Sequence, residues 1–478
     1  MKKSMIPVLF WCILLLTGCS SGKLPETPCD FTAESTENGI VLTWSEVNTA
    51  DSYRLYRRKT EQTDYRFLSD TTGLTYTDAS CEDGCTYIYK LTTMNDSGES
   101  AGTETTQTFR NASDTAVLAA PVITSVTRMD SYTTVILFED ANTDCQYKIL
   151  RAGSRDGTYT VAGTTDEKVF YDETENSSSW YQVCAVSGET ESEVSLPAET
   201  GTNACEVFCV PIFMYHDFVT EEDLSAGVAF DEYAIYKDDF ESDLNWLKSN
   251  GYTTITTKEL TDYLEGNGSM PQKPVILTID DGKLGVYKNA WPLLREYGMK
   301  ASLALIGENI DAATADPSGR KDDPAPYCTW EEVREMSDSG AMEMVSHTYT
   351  LHAFDHDGRQ GANCAEGEDL SQFFLPALND FRMMQKKLLE VTGRETVTLS
   401  YPYSIRSTIS DKVWLKCGYR LLVAGKDDDV RKTQINCFVR EAGINAHSAL
   451  ARRIVRMHGT SIETYMQDAL AQDAQANP

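Results

Sequence analysis

Two adjacent carboxylates, Asp280 and Asp281, followed by Gly282, stand at the end of the apolar run Val275-Ile276-Leu277-Thr278-Ile279. Consecutive residues at a strand end point to different sides. The pair therefore suits two jobs: one carboxylate can ligate a metal while its neighbour takes a proton from an attacking water. Taken alone, the tripeptide is also the signature of an Asp-Gly turn with solvated acids. A second piece, Ser346-His347-Thr348-Tyr349-Thr350-Leu351-His352, follows the apolar run Met342 to Val345 and sets two of only six histidines five residues apart. Two imidazoles and one carboxylate leave a tetrahedral zinc one open position, as in catalytic rather than structural sites. His356, four residues beyond His352, competes as a ligand if that stretch is helical. The third piece is Leu399-Ser400-Tyr401-Pro402-Tyr403, where the proline fixes a turn that can aim a backbone N–H at a developing oxyanion. Each piece is weak in isolation, and the three in this order weigh far more.

Such groups need a scaffold that delivers strand ends to one place. Val275 to Ile279 has the length and composition of a buried parallel strand, Ala290 to Tyr297 has helical spacing, and Ala301 to Ile306 reads as the next strand. Repeated strand–helix–strand units over residues 205–478 predict an α/β barrel, with catalytic groups at the C-terminal ends of its strands. A terminal helix is expected over Ala449 to Leu470, with His447 and His458 in or beside it as surface residues.

Upstream the pattern changes to short alternating runs such as Ile40-Val41-Leu42-Thr43-Trp44 and Tyr53-Arg54-Leu55-Tyr56, separated by Gly, Asn and Asp turns, which predicts all-β sandwiches. Tyr53 and Tyr147, like Asp78 and Asp172, stand 94 positions apart (147 − 53 and 172 − 78), so two modules follow in tandem, over 28–110 and 118–203. Asn111-Ala-Ser-Asp-Thr links them, and Ala198 to Asn203 leads into the barrel. The modules serve either as a spacer or as glycan binders, because the fold alone does not distinguish these roles.

The chain opens with Lys2, Lys3, an apolar run from Ile6 to Leu16, and Leu16-Thr17-Gly18-Cys19. That run is too short to span a bilayer and reads as a secretion signal over 1–18, with a linker over 19–27. It resembles a bacterial lipobox, which implies a lipid on Cys19 and an extracytoplasmic protein tethered to a bacterial membrane. The alternative is a plain signal peptide with an incidental cysteine. A balance of 42 Lys+Arg against 73 Asp+Glu gives −31, which excludes attraction to nucleic acid and favours neutral or cationic partners. Of 13 cysteines, eleven remain once Cys12 and Cys19 are set aside. The close pairs Cys81/Cys85 and Cys205/Cys209 are the candidate disulfides, and no zinc-finger spacing is present.

The modules resemble fibronectin type III domains, through Trp44, Tyr53-Arg-Leu-Tyr-Arg and the stretch from Tyr87 to Ser100, with Phe138 standing where the second copy would carry tryptophan. The C-terminal region resembles the polysaccharide deacetylase family, through Ile212-Phe-Met-Tyr-His-Asp, Thr278-Ile-Asp-Asp-Gly, Met299 to Gly307, Ser346-His-Thr-Tyr-Thr-Leu-His and Tyr401-Pro-Tyr. The resemblance implies a distorted β/α barrel that hydrolyses acetyl groups from an amino-sugar polysaccharide, closest to the poly-N-acetylglucosamine branch. By position it implies Asp280 as general base, Asp281, His347 and His352 as ligands of a divalent metal such as Zn2+, the Tyr403 N–H as oxyanion donor, and His216 as general acid. Three features depart from the family: Ser400 stands where an arginine is common, Ser404 where a glycine is common, and Leu450 to His458 lacks the late Leu-x-His. An O-acetyl esterase and a non-catalytic glycan-binding lipoprotein are the alternatives. Cleavage of the glycan backbone fits poorly, since it needs carboxylates on opposite faces of the bond.

Overall fold

The computed structural model describes residues 23–36, 38–110, 118–130, 132–174, 176, 178–355, 358–425, 435–445 and 447–476, the last six by backbone alone. The leader, Cys19, the 111–115 link and His356 lie outside them. Among the described residues no helix is long and apolar enough to cross a membrane. The chain divides into two units between residues 117 and 118.

The first unit packs a three-stranded antiparallel sheet (Thr32–Thr36, Gly39–Thr43, Thr75–Asp78) against one built on Ser52–Lys59 and Thr86–Asn95. Alternation in the sequence becomes alternation in space: Ile40, Leu42, Leu55, Tyr87 and Leu91 turn inward around Trp44. In the second unit, residues 122–199 repeat the same strand order in both sheets. The repeat extends to a buried polar network, in which Arg57 and Tyr89 hold Asp78 in one module and Arg151 and Tyr181 hold Asp172 in the other. Phe138 does occupy the tryptophan's place, stacking edge-on to Tyr147 as Trp44 packs on Tyr53.

The rest of the second unit is a parallel sheet. Its strands are β1 (Ile212–Tyr215), β2 (Thr253–Ile255), β3 (Pro274–Ile279), β4 (Ala301–Leu305), β5 (Met342–Ser346), β6 (Thr398–Ser400), β7 (Leu421–Ala424), β8 (Leu450–Arg452) and β9 (Ile454–Val455). The order is β8-β7-β6-β5-β4-β3-β1-β9, with β2 beside the start of β3. All six residues of β3 are buried, as expected where helices cover a parallel sheet. The helices carry strong start signals: capping boxes Thr256/Glu259, Thr329/Glu332 and Asp369/Gln372 open those that follow β2, precede β5 and follow β5.

Closure of the barrel corrects the sequence expectation for 449–470. Residues 450–455 are extended, and the terminal helix starts only at Ile462. Strands β8 and β9 are one strand broken at Arg453: β8 pairs with β7, and β9 pairs with β1 on the far edge. Arg453 N–H donates to Ala424 O and Arg456 N–H to Met214 O, so the break spans the seam. Asn436 exchanges two hydrogen bonds with Arg452, at 2.7 and 2.8 Å. Arg456 reaches Asp243 at 2.7 Å, where the Tyr215 hydroxyl and the Ile462 N–H also donate. Burial pushes the Asp243 carboxyl up, and these donors oppose that shift.

Cysteine pairing also differs from expectation. Cys209 bonds to Cys437 across an antiparallel pair formed by 207–210 and 436–439, whereas Cys81, Cys85 and Cys205 are free thiols. A partner 228 residues away leaves no trace in local spacing. His447 is part-buried rather than standing free at the surface: its ring stacks on Tyr171 of the second module at 3.9 Å, beside an apolar seam of Met129, Val135, Val169 and Val439. His458 is half-exposed at the surface, as expected.

Replacing Arg456 by alanine leaves Asp243 buried without its cation. The expected loss is about 3–5 kcal/mol of unfolding free energy in urea titration. A loss under about 1 kcal/mol, as for exposed pairs, contradicts this role for the seam.

Candidate metal centre

The ends of β1, β3, β5 and β6 deliver His216, Asp280 with Asp281, His347, and Ser400 to Tyr403 to one mouth of the barrel. Asp280 and Asp281 do part ways. Asp281 takes a left-handed backbone, φ 74°, which turns its carboxylate toward the histidines. Its Oδ1 lies 3.5 Å from His347 Nε2 and 3.6 Å from His352 Nε2. Zinc bonds of about 2.0–2.1 Å at tetrahedral angles hold ligand atoms about 3.3–3.4 Å apart, close to these two separations, and all three ligand atoms lie within 4.8 Å of one another.

Both imidazoles present Nε2 because Nδ1 is engaged elsewhere. His347 Nδ1–H donates to the Ser400 carbonyl at 2.8 Å, and His352 Nδ1 lies 3.3 Å from the Tyr403 hydroxyl. Partners of this kind fix tautomer and ring orientation in metal sites. Burial, with the His347 imidazole beside it, pushes the His352 pKa down to about 4, so the ring is neutral at pH 7 and has a lone pair to offer a metal.

The loop between the two histidines is held from outside. Asp380, buried on the helix Leu370–Thr392, accepts the N–H groups of Tyr349 (2.9 Å) and Thr350 (2.8 Å). Thr348 adopts φ 69°, and its N–H is taken by Ser346 Oγ. Gly307 is needed beneath this loop, because a Cβ there would sit 2.3 Å from the Tyr349 ring.

Asp280 faces inward and is buried. Arg453 donates to its Oδ1 at 2.7 Å, and the Ser400 hydroxyl lies 3.1 Å from each carboxylate oxygen. Burial alone would raise the Asp280 pKa, but the Arg453 guanidinium, with His347 and His216, holds it well below the usual carboxylate range. Position 400 carries a serine, and the cation that meets Asp280 comes from the closing strand. Ser404 in turn accepts a glycine-like φ of 57°, and its Oγ takes the Gly425 N–H at 2.7 Å. Tyr403 shares that φ. His216 packs on Tyr233 with ring centres 4.7 Å apart, and its buried Nδ1 has no hydrogen-bond partner among the described residues. Burial lowers its pKa, while Asp280 and Asp281 pull it upward.

Sequence reasoning missed Arg453 and Asp380. The first was hidden by the helical reading of 449–470. The second lies mid-helix, where only its isolation as a buried acid could have marked it.

Residues 267–422 match the family described as polysaccharide deacetylase. YxkH of Bacillus subtilis (strain 168) is 29% identical over 214 residues, 44% of this chain and 63% of that protein. The poly-beta-1,6-N-acetyl-D-glucosamine N-deacetylase of Escherichia coli (strain K12) is 32% identical over 111 residues, 22% of this chain and 16% of that one. The chain therefore spans less than two thirds of these relatives. A solved de-N-acetylase from Aggregatibacter actinomycetemcomitans superposes with a TM-score of 0.44 at 22% identity, over 54% of this chain and 99% of that one.

The purified chain is expected to bind one zinc ion, and His347→Ala to abolish that binding with circular dichroism unchanged. Asp380→Ala, which only loosens the ligand loop, is expected to weaken zinc about 10- to 100-fold in a chelator competition. Unchanged affinity in both variants contradicts the site.

Proposed function

From the premise that this chain carries a polysaccharide deacetylase domain, we propose that it is a metal-dependent hydrolase removing N-acetyl groups from an extracellular amino-sugar polysaccharide, with poly-β-1,6-N-acetylglucosamine as the favoured class. The observation that carries the reading is the convergence of Asp281, His347 and His352, with Asp280 beside them yet held away by Arg453. The name of the Escherichia coli relative supports the substrate class.

A divalent metal, zinc by donor type, supplies Lewis-acid polarisation of the acetyl carbonyl when bound. Asp280 accepts the proton of the attacking water. Its ionised state is secured by Arg453, and the Ser400 hydroxyl fixes its orientation. The Tyr403 N–H donates to the developing oxyanion from a turn whose strained backbone is locked by the Ser404 hydroxyl. His216 hands a proton to the departing amine. It is neutral at rest, so the proton it hands over is the one Asp280 took from the water, passed on before the amine departs, and the neighbouring Asp281 charge favours the protonated form.

An exported location, with the lipid on Cys19 as tether, belongs to the same proposal. The Cys209–Cys437 disulfide supports it, because such bonds persist in oxidising compartments.

The soluble chain from residue 20, loaded with zinc, is expected to release acetate from β-1,6-linked N-acetylglucosamine oligomers. Chelation should abolish release, and Asp280→Asn should lower kcat about 10²- to 10⁴-fold with zinc retained. Acetate released only from O-acetylated xylan assigns the esterase alternative. No release from either substrate by the zinc-loaded chain refutes the enzyme.

A further inference from the structure

The two modules repeat one another in strand order, yet they differ on one outward face. In the second, the paired strands Thr133–Glu139 and Val169–Glu173 turn Ile136, Phe170 and Asp172 toward the module's own core. Alternation then sends Val135, Leu137, Val169 and Tyr171 to the other side. The residues 94 positions earlier, in the same register, are Val41, Thr43, Thr75 and Thr77, and the three threonines are exposed. Their apolar counterparts are covered. Val135 and Val169 are buried, and Leu137 and Tyr171 part-buried, against Val207, Cys437, Val439 and Ala442 of the barrel's 207–210 and 436–439 pair and the turn after it. A sandwich that served only as a spacer would gain nothing from exchanging these threonines for apolar side chains.

The contact continues to the segment that carries Arg453. Tyr171 stacks on His447 with ring planes 9° apart, and its hydroxyl accepts from Asn445 Nδ2 at 2.9 Å. Asn445, itself buried, builds the turn before β8. Its Oδ1 accepts the N–H groups of His447 and Ser448, at 2.9 and 3.1 Å, and its carbonyl accepts that of Ala449 at 2.9 Å. β8 begins at the next residue, and Arg453 follows its last. The guanidinium depends on that backbone for its aim. Nη1 reaches Asp280 at 2.7 Å and Thr278 Oγ1 at 3.4 Å, whereas the buried Nε and Nη2 have no hydrogen-bond partner among the described residues. The course of the strand, set from Asn445 onward, therefore decides where the charge lies.

We propose that the second module is part of the catalytic unit rather than a spacer, and that its Tyr171 is a positioning residue which, through the Asn445 turn, holds Arg453 against Asp280. The catalytic consequence rests on the deacetylase reading. The module then acts on the reaction without touching substrate or metal, because it fixes the backbone from which the Asp280 counter-charge is hung.

The test is made on the zinc-loaded soluble chain from residue 20, with acetate release from β-1,6-linked N-acetylglucosamine oligomers as the activity. Tyr171→Ala should lower kcat about 10- to 100-fold, as small misplacements of catalytic groups do, with KM and zinc affinity unchanged. Tyr171→Phe, which keeps the ring on His447, should recover most of that loss. In an Asp280→Asn background the group that Arg453 serves is gone, so adding Tyr171→Ala should change kcat by less than about twofold. Wild-type kcat in Tyr171→Ala, or a loss of the same size in both backgrounds, overturns the proposal, as does a loss shared equally with KM and zinc binding. If the wild type releases no acetate, the deacetylase reading fails, and amide hydrogen exchange then judges the coupling by itself. Faster exchange in Tyr171→Ala of the Leu422 and Arg453 amides, which bond to Ala449 O and Ala424 O, sustains it, and unchanged exchange refutes it.

Discussion

Everything at the barrel mouth depends on one buried ion pair, Arg453 with Asp280. A carboxylate sealed inside a parallel barrel is costly unless a cation and hydrogen-bond donors meet it there. Arg453 and the Ser400 hydroxyl meet it. Because Arg453 lies on the strand that closes the barrel, the charge state of Asp280 is tied to the docking of the last part of the chain. That docking is secured three times over: by the Asn436–Arg452 exchange, by the buried Arg456–Asp243 pair, and by the Cys209–Cys437 bond that pins the 436–439 strand. Stability of the seam and readiness of the site are thus the same physical fact.

Division of labour between the adjacent acids follows from backbone geometry. Asp280 continues the strand into the interior, and Asp281 leaves it through a left-handed turn toward the histidines. Of the seven non-glycine residues with positive φ among those described, four belong to this site: Asp281, Thr348, Tyr403 and Ser404. Strain is concentrated where it aims ligands, and it persists because neighbours over-determine it. Asp380 holds the loop after Thr348, and Gly425 holds Ser404.

The parts of this design legible in sequence are those written in local pattern. Apolar runs marked the strands that end at Asp280, His347 and Ser400, and the two histidines stood out by rarity and spacing. The tandem β-modules announced themselves through a repeat that turned out to include a buried Arg–Asp–Tyr network. Partnerships across long separations were illegible. Cys437 gave no hint that it would choose Cys209 over nearer thiols being paired among themselves. The five residues of the closing strand are too few to outweigh the helical pattern around them, so Arg453 passed unnoticed. Ser400 gave no sign that Asp280 would find its cation on another strand, at Arg453.

The account's central claim is that Asp281, His347 and His352 hold the ion while Arg453 keeps Asp280 apart from it. A crystal structure grown with zinc, phased at the zinc edge, tests this most directly. The account predicts one anomalous peak bonded to the Asp281 carboxylate and both Nε2 atoms, with Asp280 still paired to Arg453. No peak at that position, or Asp280 released from Arg453 and bound to the ion, would contradict it.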